Sequence, residues 1–235
     1  LNARAERDKH AVKGSRMPNP PASNPFDRIA EIGLLPVIAI EDPEHAVPLA
    51  DALLAGGLPV AEITFRTAAA AEVIARMARE RPSMLVGAGT VLDRISLDIA
   101  KKSGAQFGLA PGFDPEIVDH AADAGFPFVP GIMTPSELSA AMRKGAKVFK
   151  FFPAGTIGGP EALKSISAPF AHLGLKFVPT GGVSLANMQD WLKVPGVAAV
   201  GGTWIAKTED IRAARWDKIA ANCREALAAV AASRK

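Results

Sequence analysis

The stretch Leu35-Pro36-Val37-Ile38-Ala39-Ile40-Glu41-Asp42-Pro43 decides the fold class. The run to Ile40 reads as a buried strand, and it is followed at once by two acids and a proline. An open doubly wound sheet would carry a glycine-rich dinucleotide turn at that point, and here that turn is absent. Asp42 is instead suited to cap a helix beginning after Pro43, and Gly56-Gly57 to end it.

Outward from that first strand the pattern repeats. Short apolar runs at Val60–Phe65, Leu85–Ala88, Phe107–Ala110, Phe128–Pro130, Val148–Phe152, Phe177–Thr180 and Val197–Val200 alternate with helical windows. Those windows include His45–Ala55, Ala69–Arg81, Pro115–Ala124, Pro135–Lys144 and Leu185–Leu192, and an alanine-rich helix is expected from Trp216 to Ala232. Roughly eight strand–helix repeats predict a parallel α/β fold of the (β/α)8 TIM-barrel type, in which chemistry lies at the C-terminal ends of the strands.

The chain has 235 residues, 49% of them hydrophobic, enough for one barrel-sized core over residues 26–235. Residues 1–25 are polar, charged and then proline-rich, and are expected to form a flexible tail, with an N-terminal helix leading into the barrel. Met17 within that tail is a candidate natural start. The net charge is +3, and residues 1–25 hold five Lys/Arg against two Asp/Glu, so everything from Phe26 onward is formally neutral. That balance argues against a nucleic-acid partner, which needs clustered basic residues on the folded surface. No apolar stretch is long enough to span a bilayer and no leader is evident, so no membrane association is expected. The single cysteine, Cys223, cannot form an internal disulfide and fits a cytoplasmic protein.

In the second strand, alternation places Glu62, Thr64 and Arg66 on one face and Ile63 and Phe65 on the other. The apolar pair should face the helices, leaving a carboxylate, a hydroxyl and a guanidinium inside. That trio alone fits a structural ion-pair network equally well. In Val148-Phe149-Lys150-Phe151-Phe152-Pro153, the same parity turns Val148, Lys150 and Phe152 inward. An ammonium is costly to remove from water unless it is paired or deprotonated, and a deprotonated lysine is a nucleophile. A snorkelling or ion-paired lysine is the bland alternative, weakened by Glu62 and Arg66 converging on the same interior. The glycine pairs 181–182 and 201–202, the latter followed by Thr203, lie where such barrels cradle phosphate. The four histidines, His10, His45, His120 and His172, show no ligand spacing. No metal and no cofactor are expected.

Glu62-Ile63-Thr64-Phe65-Arg66-Thr67, Val86-Gly87-Ala88-Gly89-Thr90-Val91, Phe149-Lys150-Phe151-Phe152-Pro153-Ala154, Pro179-Thr180-Gly181-Gly182 and Val200-Gly201-Gly202-Thr203-Trp204 together resemble the motif series of the 2-keto-3-deoxy-6-phosphogluconate (KDPG) aldolases. These are class I aldolases, several of which also cleave 4-hydroxy-2-oxoglutarate (KHG). The resemblance, running from about Leu34 to Ile205, implies a homotrimeric barrel that cleaves the phosphorylated keto sugar acid to pyruvate and glyceraldehyde 3-phosphate. It implies that Lys150 forms the Schiff base and that Glu62 transfers protons. Arg66 and Thr90 would hold the pyruvyl carboxylate. Gly181, Gly182, Gly201, Gly202 and Thr203 would hold the phosphate, and Phe152 and Pro111 would wall the pocket. The chain departs from the family pattern at Gly155-Thr156, where many members carry an acid, and at Ala110, commonly serine. Two other readings stay open: a phosphosugar isomerase or epimerase using Glu62 as base without a covalent adduct, and a non-catalytic barrel that binds phosphorylated acids.

Overall fold

A computed structural model describes residues 24–234. The expected tail over residues 1–23 lies outside the described residues. Its expected end at residue 25 is corrected: helix α1 already spans Pro25–Ile32, because Asn24 caps it through a 3.1 Å bond from the Phe26 amide and Pro25 occupies the first turn. Gly33 in the left-handed region ends α1. Phe26 packs edge-on against Phe107, tying the helix to the base of the sheet.

Strands β1 (Leu34–Ile38), β2 (Val60–Thr64), β3 (Leu85–Gly89), β4 (Gly108–Leu109), β5 (Phe128–Val129) and β9 (Val200–Gly202) form a parallel sheet in the order β5-β4-β3-β2-β1-β9. Strands β6 (Gly131–Ile132), β7 (Val148–Phe151) and β8 (Lys176–Pro179) form a second parallel sheet. Nine segments replace the eight expected because Pro130 interrupts the fifth run; a residue without an N–H cannot donate to a ladder. Parallel bridges Phe177↔Val197 and Thr180↔Gly201 link β8 to the approach and body of β9.

The helices are α2 (Ala46–Ala55), α3 (Ala70–Glu80), α4 (Arg94–Lys102), α5 (Pro115–Asp123), α6 (Pro135–Arg143), α7 (Gly159–Ser167), α8 (Met188–Leu192), α9 (Thr208–Arg212) and α10 (Trp216–Ser233). Asp42 caps as expected, its carboxylate accepting from the Glu44 amide at the head of a 3-10 turn that runs into α2. Gly57, at φ 80°, turns the chain out of that helix.

Two shifts of boundary bear on the site. The last strand lies at Val200–Gly202 rather than Val197–Val200, because Gly201 and Gly202 pair with Leu35 and Pro36 as members of the ladder. The helix expected from Leu185 begins three residues later. The Ser184 backbone amide donates to Asn187 Oδ1, Asn187 Nδ2 donates to the Gly182 carbonyl, and α8 starts only at Met188. Among the described residues no helix is long and apolar enough to cross a membrane.

Candidate active site

The C-terminal ends of the strands surround a cavity of about 250 Å³. β1 contributes Val37, β2 contributes Thr64, and the turns after β2, β3 and β4 contribute Arg66, Thr90 and Pro111. β7 and the residue after it contribute Lys150 and Phe152, the turn after β8 contributes Thr180 to Val183, and β9 and the residue after it contribute Gly202 and Thr203.

At its floor Lys150 Nζ lies 2.8 Å from Glu62 Oε1, with Glu62 fully buried and Lys150 only 4% exposed. The two residues are 88 positions apart in sequence and meet because β2 and β7 both turn alternate side chains inward. Burying two ions costs several kcal/mol each, and close pairing offsets much of it. The Phe152 ring centroid is 5.9 Å from Nζ, and the nearer partner is the Glu62 carboxylate, as the convergence of the two strands led one to expect. A proton passed from Nζ to Oε1 leaves a neutral amine and a neutral acid, with no change in the net charge of the pair. Glu62 Oε2 accepts from no described residue.

Arg66 stands at the mouth. Its Nε donates to Thr64 Oγ1 at 3.2 Å, and that hydroxyl donates in turn to the Ile38 carbonyl at 3.0 Å. Among the described residues no carboxylate pairs with the guanidinium, so its terminal nitrogens are available to an incoming anion, which the planar fork binds bidentately. At the end of the neighbouring strand β3, Thr90 has φ 58°. For a β-branched residue that conformation costs about 1–3 kcal/mol and is a strain found mainly at functional sites.

The third corner is backbone. Gly181 and Gly182 have φ of 88° and 81°, a conformation that suits glycine. The Gly155 amide donates to the Gly181 carbonyl at 2.7 Å, and Asn187 holds the Gly182 carbonyl at 2.9 Å. The amides of Gly182 and Val183 donate to no described residue and line the cavity. Free amides in such a turn suit a phosphate-sized anion.

A guanidinium for one anion, an amide cradle for another and a buried amine between them describe a site for an acid with a remote phosphate. The family model for KDPG and KHG aldolases matches residues 27–222. The chain belongs to that aldolase family. It is 44% identical to the 2-dehydro-3-deoxy-phosphogluconate aldolase of Pseudomonas aeruginosa over 87% of this chain and 92% of that one. It is 43% identical to the KHG/KDPG aldolase of Escherichia coli strain K12 over 83% and 90%. The KDPG aldolase of Legionella pneumophila, crystallised with pyruvate captured as a covalent carbinolamine, superposes with a TM-score of 0.82 at 38% identity, covering 85% of this chain and 96% of that one.

Of the residues that the aldolase motifs single out, Lys150, Arg66, Thr90, Pro111, Phe152, Gly181, Gly182, Gly202 and Thr203 line the cavity. Glu62 lies just beneath it. Gly201 does not reach it: it is buried behind Thr180, whose side chain fills the space a Cβ at 201 would need. Val37, Thr180 and Val183 line the cavity without having been singled out. Thr180 sits inside a quoted motif, and its position one residue before the glycine turn was the available signal. Val37 is an apolar strand residue like its neighbours and carries no signal.

Proposed function

We propose that the protein is a class I aldolase that cleaves KDPG to pyruvate and glyceraldehyde 3-phosphate and also accepts KHG, releasing pyruvate and glyoxylate. The single observation that carries this reading is the buried Lys150–Glu62 contact of 2.8 Å beneath a cavity that also offers Arg66. Lys150, having passed a proton to Glu62, attacks the C2 ketone; the carbinolamine loses water to give a protonated imine. Glu62, again a carboxylate, takes the C4 hydroxyl proton as the C3–C4 bond breaks. The bonding pair moves onto the imine nitrogen as an enamine, and the aldehyde departs. Glu62 then returns a proton to C3, and hydrolysis of the imine frees pyruvate and the amine. Arg66, braced by Thr64, and Thr90 hold the pyruvyl carboxylate. The amides at Gly182 and Val183, with Gly181, Gly202 and Thr203, hold the phosphate, and Pro111 and Phe152 wall the pocket. Gly201 acts by making room for Thr180.

The two sheets are read as one closed (β/α)8 barrel, and residues 25–234 as one domain. Support comes from β5 and β6, separated by Pro130 alone and paired with opposite neighbours, and from the bridges between β8 and β9. A homotrimer would cover the apolar surface of Leu92, Ile95, Ile99 and Met133, which are 59%, 71%, 41% and 42% exposed. A cytoplasmic setting suits the lone Cys223, whose buried thiol is pushed up to about 12. The test is pyruvate release from KDPG, followed by coupled reduction of the pyruvate. Steady release supports the reading, and intact substrate after prolonged incubation with folded protein would overturn it.

A further inference from the structure

We infer that Gly89 is a positioning residue for the Glu62 carboxylate: the absence of a side chain at 89 is what lets Glu62 Oε1 reach Lys150. The inference rests on the reading of Glu62 as the proton carrier. Gly89 ends β3, opposite Thr64 in the register with β2, so Glu62 lies diagonally across from it. Its backbone is outside the left-handed region, so conformational freedom does not account for a glycine here. Space does. A Cβ at 89 would fall 2.7 Å from both Cγ and Cδ of Glu62 and nearer still to Oε1, whereas carbon atoms in contact sit about 3.5–4.0 Å apart.

The oxygen that a methyl group would evict is the one bonded to Lys150 Nζ. Glu62 is fully buried, and with a methyl group at 89 its carboxylate must give up that contact or push the amine aside. Gly87, two residues earlier on β3, plays the same part for a different neighbour. A Cβ there would meet the Phe107 ring, which packs against Phe26. One face of β3 therefore surrenders two positions, the first to a core ring and the second to the acid of the site.

Gly89→Ala should lower kcat for KDPG cleavage by about 10² or more, within the range that a general acid/base contributes, while borohydride still captures pyruvate on Lys150. The diagnostic readout is non-additivity. In a Glu62→Asp background the shorter acid leaves room, so adding Gly89→Ala should cost less than about tenfold. In a Glu62→Gln background, where the proton chemistry is already lost, it should cost little further. Wild-type turnover in Gly89→Ala, or a loss in both Glu62 backgrounds as large as that in the wild-type background, would overturn the inference. If Gly89→Ala alone fails to fold, a folded Glu62→Asp/Gly89→Ala double variant supports the steric relation, and a double variant that also fails to fold overturns it. Full turnover in Glu62→Gln alone would overturn the proton-carrier reading and the inference with it. Loss in Glu62→Gln beside full turnover in Gly89→Ala would overturn the inference only.

Discussion

Among the described residues two carboxylates, Glu62 and Asp210, are wholly buried, and each leaves one oxygen without a partner there. Their cations differ. Glu62 faces a single lysine at 2.8 Å that is itself buried. Asp210 on α9 faces Lys218 at 2.9 Å and Arg215 at 3.0 Å, whose side chains are 52% and 55% exposed. Lys218 first, and then Arg215, hold the Asp210 carboxyl below the usual carboxylate range. Two solvated cations around one acid fix its charge and fasten α9 to α10. Glu62 instead meets one buried amine, beside a cavity into which Asp210 does not reach. The same functional group is an anchor in one place and, in the proposed mechanism, a reagent in the other, and the two differ in the number and solvation of their partners.

The comparison breaks most visibly at the lysine. Lys150→Ala should abolish cleavage, which loss of KDPG-dependent pyruvate release would record; residual turnover at the wild-type rate would make the buried pair structural. Glu62→Gln should slow turnover by about 10²–10⁴ while pyruvate still adds to Lys150, measured by steady-state rates beside borohydride capture. Arg66→Ala should act mainly on KM for keto acids, raising it by about tenfold or more as a charge-assisted bidentate contact is lost; an unchanged KM would remove Arg66 from the carboxylate site.

The smallest effect on activity is expected at the anchor. Asp210→Asn should leave kcat unchanged and lower the melting temperature, by about 2–4 °C for each kcal/mol lost in a chain of this size. A carboxylate held low in the folded state stabilises above its unfolded value, about 3.9, and that contribution disappears as pH falls through the folded value. The gap in melting temperature between wild type and Asp210→Asn should therefore be open at neutral pH and close in acid. A gap that widened in acid would contradict the assignment of Asp210 as a charged anchor.

The face of β2 that carries Glu62, Thr64 and Arg66 was legible in the sequence because strand side chains alternate strictly, and one misplaced residue would have exposed Ile63. The same rule hid α4. Ile95, Leu97 and Ile99 alternate like a strand, yet they lie on a helix set by the Asp93–Ser96 capping box, with Leu97 buried and both isoleucines exposed. The shift of β9 was hidden for another reason. Glycine pairs read as turn formers, and only the register against Leu35 and Pro36 places Gly201 and Gly202 inside the ladder. Lys150 and Glu62 were each readable as inward; that they touch depends on how two distant strands are brought round, and on Gly89 being empty.

The most direct test of the Lys150–Glu62 pair as reagent is borohydride reduction of the intact protein with pyruvate, followed by peptide mass mapping. A reduced pyruvyl increment confined to the peptide bearing Lys150, and absent from Lys150→Ala, is the predicted result. An increment on another lysine, or none from an enzyme that still releases pyruvate from KDPG, would contradict it.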